Sequence, residues 1–333
     1  MMNQAKQLFK LPAILIIFLI WSGTGCKSRH TQQFNVNRFD IDLFSLNLDS
    51  LNHQIANLHR QYPEFMPIFT EHIIGIGQVN DPNLGVYLEQ FVKDPVILEI
   101  YSKTETLFEN FSLYSDQIAG GISEYQKQTS SPEQIDLIGF ISGFNQSFVT
   151  MESKLAIGLD NYLGADCQYY KQLRLPAYLI EKMSPEFLIA DAIRAWIQSD
   201  LEGSINNETI LEHIIFEGKI LYAAIQVLDK NQKLNVFRYS PDQIQWCKDH
   251  EKTMWEFMVE NEMLFSSDAL MIQRISKEAP FTRDFGMDSP PRAGAWIGYR
   301  IIEKFMARNK VKLEDLLFKY TAQDILAKSA YRP

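Results

Sequence analysis

One stretch of the chain stands apart in texture. Residues 135–164 read IDLIGFISGFNQSFVTMESKLAIGLDNYLG, rich in β-branched and aromatic residues and broken by glycines. Such a stretch suits two or three short strands. On both sides of it, apolar residues recur at three- and four-residue spacing, the period of helices that bury one face. The chain is therefore expected to be mainly α with a small central β-sheet, an α+β fold. With 333 residues it can build one large core or two closely joined ones.

Segments 47–62, 64–77, 84–93 and 95–127 read as helices, punctuated by Pro63, the NDPN of 80–83 and Pro95. VNRFDIDLFSLN, Val36 to Asn47, alternates loosely and then turns helical. QTSSPEQ, 128–134, is a loop. FNQSF predicts a hairpin around Asn145, and GLDNYLG predicts a tight turn after a strand. Helices resume near Ser184, a candidate N-cap with Pro185 at the first helical position, and continue to Pro333. No internal repeat interrupts this order, and no linker separates independent domains.

The N-terminus sets the compartment. Lys6 and Lys10 precede LPAILIIFLIW, Leu11 to Trp21, an apolar run too short to span a bilayer comfortably. The small residues SGTG then lead to Cys26. This is the pattern of a secretory signal, and its end resembles a bacterial lipobox with Gly23 where leucine is usual. The expected organisation is a lipoprotein signal peptide over 1–25, a polar tether over 26–35 and a single domain over 36–333. Within that domain, 36–134 is helical, 135–165 forms strands and 184–333 is helical again. Cys26 is the expected lipidation site, and several acyl chains would give a stable membrane anchor. Ordinary secretion with cleavage near Cys26 is the alternative. The signal peptide contains Lys6, Lys10 and no acid, so the formal charge of −9 becomes −11 without it. No long basic stripe appears, which argues against nucleic acid as a partner. The tether lacks the acidic run that marks lipoproteins exported to the cell surface. A cell-envelope location facing the periplasm follows.

Cys167 and Cys247 are the remaining cysteines. They could pair in an oxidising compartment, but their spacing says nothing about proximity, and buried free thiols are expected. No CxxC or Cys/His cluster suggests a structural zinc site.

ETILEHIIFEGKILYAAIQVL, 208–228, looks almost like the metal-binding helix of a zinc peptidase. Asn206 or Asn207 could cap it, with Glu208 in the first turn. Leu211, Ile214, Leu221, Ile225 and Leu228 share one face. Glu212, Lys219 and Gln226 share the other, so Lys219 should meet solvent and Tyr222 should cover the apolar face. His213 and Glu217 lie one turn apart on the flank, within reach of a common atom. A His-Glu-x-x-His helix needs a second histidine and an intervening glutamate as general base. Here the base position holds Ile214 and the second ligand position holds Glu217, while Glu212 precedes His213. No two of the six histidines are four apart. His213 and Glu217 are thus candidate metal ligands without a base, and Glu260 or Glu262 could add a third ligand. Catalytic residues are not expected, nor is a cofactor. Gly218 should let another element approach closely, at a cost of about 1 kcal/mol in helix propensity.

APFTRDFGMDSPPRAGAWIGYRIIEKFM, 279–306, carries the densest unusual chemistry. Asp288 or Ser289 could cap a helix started by Pro290 or Pro291. Arg292 would then oppose the helix dipole, which calls for a fixed anionic partner such as Asp284, Asp288 or a ligand. Gly294 and Gly298, four apart, allow close packing. Internal helix packing with an Arg–Asp bond is one reading; a binding cleft lined by Arg283, Arg292, Trp296 and Tyr299 is the other. Trp246, Trp255, Phe257 and Phe265 form an aromatic series that reads as core.

Motifs in fixed order suggest a family. VNRFDIDLF, FVKDPVILEIY (91–101), FISGFN (140–145), IGLDNYLGADCQYY (157–170), EGKILY, WEFMVENEMLFSSD, EAPFT, SPPRAGAWIGYRIIEKFM and the closing SAYRP run nearly the length of the chain. Together they resemble the gliding motility lipoprotein GldB family of Bacteroidota. The resemblance implies a role in gliding, a surface-adhesin-driven movement whose machinery is shared with type IX secretion. It also implies a degenerate, zincin-like fold and supplies no catalytic residues. The leading expectation is a non-catalytic envelope lipoprotein, held at a membrane by Cys26 and contacting proteins of the gliding or secretion machinery. A divergent zinc metallohydrolase and a periplasmic peptide- or glycan-binding module are the alternatives.

Overall fold

The computed structural model describes residues 34–130, 135–203 and 208–333. Asn206, Asn207, Cys26 and the rest of the signal and lipobox region lie outside the described residues.

The fold is mainly helical around one four-stranded mixed sheet. Its strands are β1 (Val36–Arg38), β2 (Asp136–Phe140), β3 (Phe148–Met151) and β4 (Lys154–Gly158), in the order β1-β2-β4-β3. β1 runs parallel to β2 with Val36 opposite Leu137. β2 runs parallel to β4 with Leu137 opposite Leu155, and β3 pairs antiparallel with β4. The parallel β1–β2 pair requires a crossover. Helices α1 (Phe39–Phe44), α2 (Leu51–Gln61), α3 (Leu84–Lys93), α4 (Pro95–Leu107) and α5 (Ser112–Thr129) supply it.

The central strands are apolar on both faces because each face meets a different core. Leu137, Leu155 and Ile157 join the large C-terminal core, whereas Ile138, Phe140 and Ala156 join a smaller N-terminal one. The two-residue period of a strand sorts them. The N-terminal core is aromatic: Phe39 meets Tyr62, Phe65 and Phe69 edge-on at centroid distances of 4.8–5.0 Å.

Several sequence expectations change here. The 95–127 helix breaks into α4 and α5 at Phe108–Phe111. Both phenylalanines are buried, and the Phe108 carbonyl accepts a hydrogen bond from Arg38 Nη1 at 2.9 Å. The 64–77 helix is a short α turn, Phe65–Ile68, passing into a π turn, Phe69–Ile73. Asn145 is not at a hairpin, because β2 and β3 are not neighbours; the hairpin joins β3 and β4 through Glu152 and Ser153. The loop of 141–147 instead wraps Asp160. The amides of Ser142 and Phe144 donate to Asp160 Oδ2 at 3.0 and 2.7 Å. Asp160 is fully buried with no cation beside it, so burial pushes its pKa up to about 6. Ser184 and Pro185 do start a helix, α6 (Pro185–Leu201), although the serine side chain makes no capping bond.

The C-terminal half is built on α7 (Ile210–Val227), α8 (Pro241–Glu260), α9 (Ala269–Ser276), α10 (Ala293–Asn309), α11 (Leu313–Phe318) and α12 (Ala322–Ser329). Thr209 caps α7, exchanging hydrogen bonds with Glu212 in a capping box. Glu208 therefore precedes the helix, and Glu212 closes its start. Helix α7 crosses α10 at close range. A Cβ on Gly218 would lie 2.4 Å from the Gly298 carbonyl carbon, and one on Gly298 would lie 1.7 Å from the Ile214 oxygen. Only glycine permits that approach, as expected of Gly218 and, from their spacing, of Gly294 and Gly298.

This contact and its neighbours bury α7 on almost every face, which overturns the expectation for Lys219. Its side chain is 2% exposed, and Nζ donates to the Leu317 and Tyr320 carbonyls at 2.9 and 3.1 Å. A cation there satisfies carbonyls left open at the end of α11. Burial pushes its pKa down to about 8. Cys167 and Cys247 are free buried thiols in separate cores.

Candidate functional site: a buried arginine–carboxylate network

The middle of helix α6, 187–197, is apolar except for the pair in ADAIRAWI, Asp191 and Arg194. Arg194 turns toward Glu217, one turn along α7 from His213, and bridges it to Asp191. Arg194 Nη2 lies 3.6 Å from Glu217 Oε2, and Arg194 Nη1 lies 3.7 Å from Asp191 Oδ1. Arg238 Nη1 reaches Asp191 Oδ2 at 3.2 Å, and Tyr162 donates its hydroxyl to the same oxygen at 3.1 Å. Arg292 closes the group: Nη1 lies 3.7 Å from Glu217 Oε2 and Nε lies 2.9 Å from Glu278 Oε1. The Arg292 Nε–H is not aimed at Glu278, so this contact is ionic rather than a hydrogen bond. Arg292 Nη2 does donate to the Phe237 carbonyl at 3.1 Å.

Three guanidiniums thus balance three carboxylates among Asp191, Glu217 and Glu278. Asp191 and Arg292 are buried, and Arg194 is nearly so. Burial, and then the neighbouring Arg292, press the Arg194 pKa below its ordinary value. For Arg292 burial acts the same way, but the charges of Glu278 and Glu217 outweigh it and hold its pKa up. Both guanidiniums remain charged at neutral pH. Arg238 and Arg292 hold left-handed backbone conformations, φ 58° and 53°. Such strain persists where the surroundings over-determine it. Here the Tyr239 hydroxyl pins the Pro291 and Arg292 carbonyls at 2.8 and 3.0 Å.

The anionic partners of Arg292 are therefore Glu217 and Glu278. Asp284 pairs with Arg274 instead, at 3.1 Å, and Asp288 is exposed. Arg292 itself is the N-cap of α10, so neither Asp288 nor Ser289 caps that helix. The Ser289 hydroxyl donates to the Thr282 and Gly286 carbonyls and folds the preceding loop.

Arg292, Trp296 and Tyr299 gather around Phe237, whose ring lies 5.5 Å from Trp296 and 5.1 Å from Tyr299. Trp296 is buried and donates Nε1–H to Glu251 at 3.2 Å; the Tyr299 hydroxyl donates to Glu303 at 3.3 Å. Arg292 and Trp296 are thus buried, and Tyr299 is half-buried beside them. Arg283 stands exposed on the 3-10 turn Arg283–Phe285.

His213 and Glu217 are both half-buried. Two arginines face the Glu217 carboxylate, which opposes a metal cation at the same oxygens. Ile214, in the general-base position, is 1% exposed. Glu260 and Glu262 are exposed at the far end of α8. Among the described residues no three His, Cys, Asp or Glu side chains cluster as a metal site. What the arrangement offers chemically is a charge-balanced lock joining α6, α7, α10 and the 235–239 segment. Sequence reading missed Asp191, Arg194, Arg238 and Glu278. The signal available was the isolated charged pair in the otherwise apolar ADAIRAWI.

The family model described as gliding motility protein GldB matches residues 26–333. The chain belongs to the GldB gliding motility protein family. That membership makes it a gliding-motility lipoprotein associated with a membrane, and the matched segment opens on Cys26. Among the described residues no helix is long and apolar enough to cross a membrane. No curated protein and no solved structure matches the chain.

Proposed function

We propose that this chain is a non-catalytic, periplasm-facing lipoprotein, anchored through Cys26, that supports gliding by binding other proteins of the apparatus. Its contacts extend to the type IX secretion machinery that gliding shares. The observation that carries the non-catalytic part is the register of α7. Ile214 fills the position of a general base, and the Glu217 carboxylate faces Arg194 and Arg292 at 3.6 and 3.7 Å. A water-activating site needs an open ligand position and a base. The partner-binding part rests on family membership and on the lipoprotein signal before Cys26.

Deleting the gene should abolish gliding, and a His213→Ala copy should restore it. A deletion strain that glides and secretes normally would refute the role. Zinc bound to the purified protein and lost in His213→Ala would replace this reading with a divergent metallohydrolase.

A further inference from the structure

The motif WEFMVENEMLFSSD has no part in the arginine network, yet it builds a distinct surface. At the end of α8 the chain turns through Glu262, whose φ is 53°. The 3-10 turn Met263–Phe265 follows. Met263 and Leu264 are 2% and 7% exposed and root the turn in the core, while Phe265 is 63% exposed. Val259 and Leu270, on the flanking helices, are also exposed. A cavity of about 500 Å³ opens here, lined by Met258, Val259, Glu262, Leu264, Phe265 and Ser266. Its apolar lining includes a methionine, whose flexible side chain adapts to different guests.

The unpaired charge along this stretch is acidic. From residue 253 to residue 273 the sequence contains no lysine or arginine and four acids: Glu256, Glu260, Glu262 and Asp268. Glu256 is paired with Lys252, and Asp268 caps α9. Glu260 and Glu262 are exposed without an ion pair among the described residues. An anionic lipid surface would be repelled by this rim. A second copy would set the same acids against each other. A cationic segment would be attracted, and an exposed aromatic beside an apolar pocket is the usual anchor of a protein contact.

We propose that this pocket receives an apolar side chain from a lysine- or arginine-rich segment of a partner protein. The proposal rests on the binding role given above and assigns it a surface and a partner chemistry.

The test uses the full chain in vesicles of zwitterionic phospholipid and two fluorescent amphipathic peptides, one of leucine and lysine, one of leucine and glutamate. The leucine–lysine peptide should bind above the level of empty vesicles, more weakly as salt rises, and its counterpart should not. Phe265→Asp should weaken binding about tenfold or more. Glu260→Gln with Glu262→Gln should weaken it about threefold and flatten the salt dependence. Equal binding of both peptides, or binding untouched by Phe265→Asp, overturns the proposal. So does a concentration-dependent dimer, or retention on anionic vesicles, that Phe265→Asp abolishes. A pocket that fails these tests leaves the gliding requirement standing, whereas a gliding-competent deletion strain removes the role itself.

Discussion

Replacing Gly298 by alanine tests the α7–α10 crossing at its tightest point. The new Cβ would lie 1.7 Å from the Ile214 oxygen and 2.5 Å from the Ile214 carbonyl carbon. Neither atom can rotate away, because both belong to the backbone of α7. Ordinary contact at about 3.5 Å can be restored only if the helices part, which loosens the packing of both. Overpacking costs about 1–3 kcal/mol where side chains can yield, and a backbone clash belongs at or above the top of that range. Alanine returns about 1 kcal/mol of helix propensity. The net expectation is a loss of about 3 kcal/mol, or a fall of roughly 6 °C in Tm at about 2 °C per kcal/mol. Gly120 supplies the control. It sits exposed within α5, and a Cβ there meets nothing within 4 Å. Gly120→Ala should raise Tm by about 2 °C, from helix propensity alone. Differential scanning calorimetry of both variants decides the matter. If Gly298→Ala behaves like Gly120→Ala, the close crossing does not exist as described.

Three further outcomes follow from the buried charges. Folded Asp160 holds its proton up to about pH 6, whereas the unfolded chain releases it near 3.8. The folded state therefore binds more protons between those values, and stability should fall by roughly 3 kcal/mol as pH rises through that window. Asp160→Asn should flatten this slope in urea titrations. Lys219 has the opposite sign: the unfolded chain keeps its proton to about 10.5 and the folded one only to about 8. Stability should thus rise by roughly 2 kcal/mol from about pH 8 to 9.5, and Lys219→Met should erase the rise. Arg292→Ala leaves Glu217 and Glu278 facing less positive charge and should cost about 3 kcal/mol. A cycle with Glu217→Gln should return a coupling of about 1 kcal/mol or more, where independent sites would give none.

The helical and stranded regions were legible because their periodicities differ, and each strand face met a core as the two-residue period requires. The glycines of α7 and α10 were legible as packing devices, Gly294 and Gly298 because their four-residue spacing places them on one helix face and Gly218 as a glycine kept inside a helix. Strand pairing was not. FNQSF has a hairpin's composition, but the strands it joins are separated by β4, and no local signal records a non-neighbour pairing. Lys219 was misplaced because its helical position opposes the apolar stripe. The stripe argument assumes one partner face, and α7 packs on several sides. Arg292 was singled out correctly as needing an anion, yet its partners, Glu217 and Glu278, come from two other segments. Glu217 was read as a metal ligand from its spacing to His213. Spacing along a helix cannot reveal two guanidiniums brought to it from α6 and the start of α10.

The central claim, that the protein serves gliding by binding rather than by catalysis, is tested most directly by allelic replacement. Gliding speed should be measured in strains carrying His213→Ala or Phe265→Asp in place of the chromosomal gene, with protein abundance matched by immunoblot. The account predicts normal gliding with His213→Ala and a loss of gliding with Phe265→Asp. Loss of gliding with His213→Ala, together with normal movement in Phe265→Asp, would contradict it.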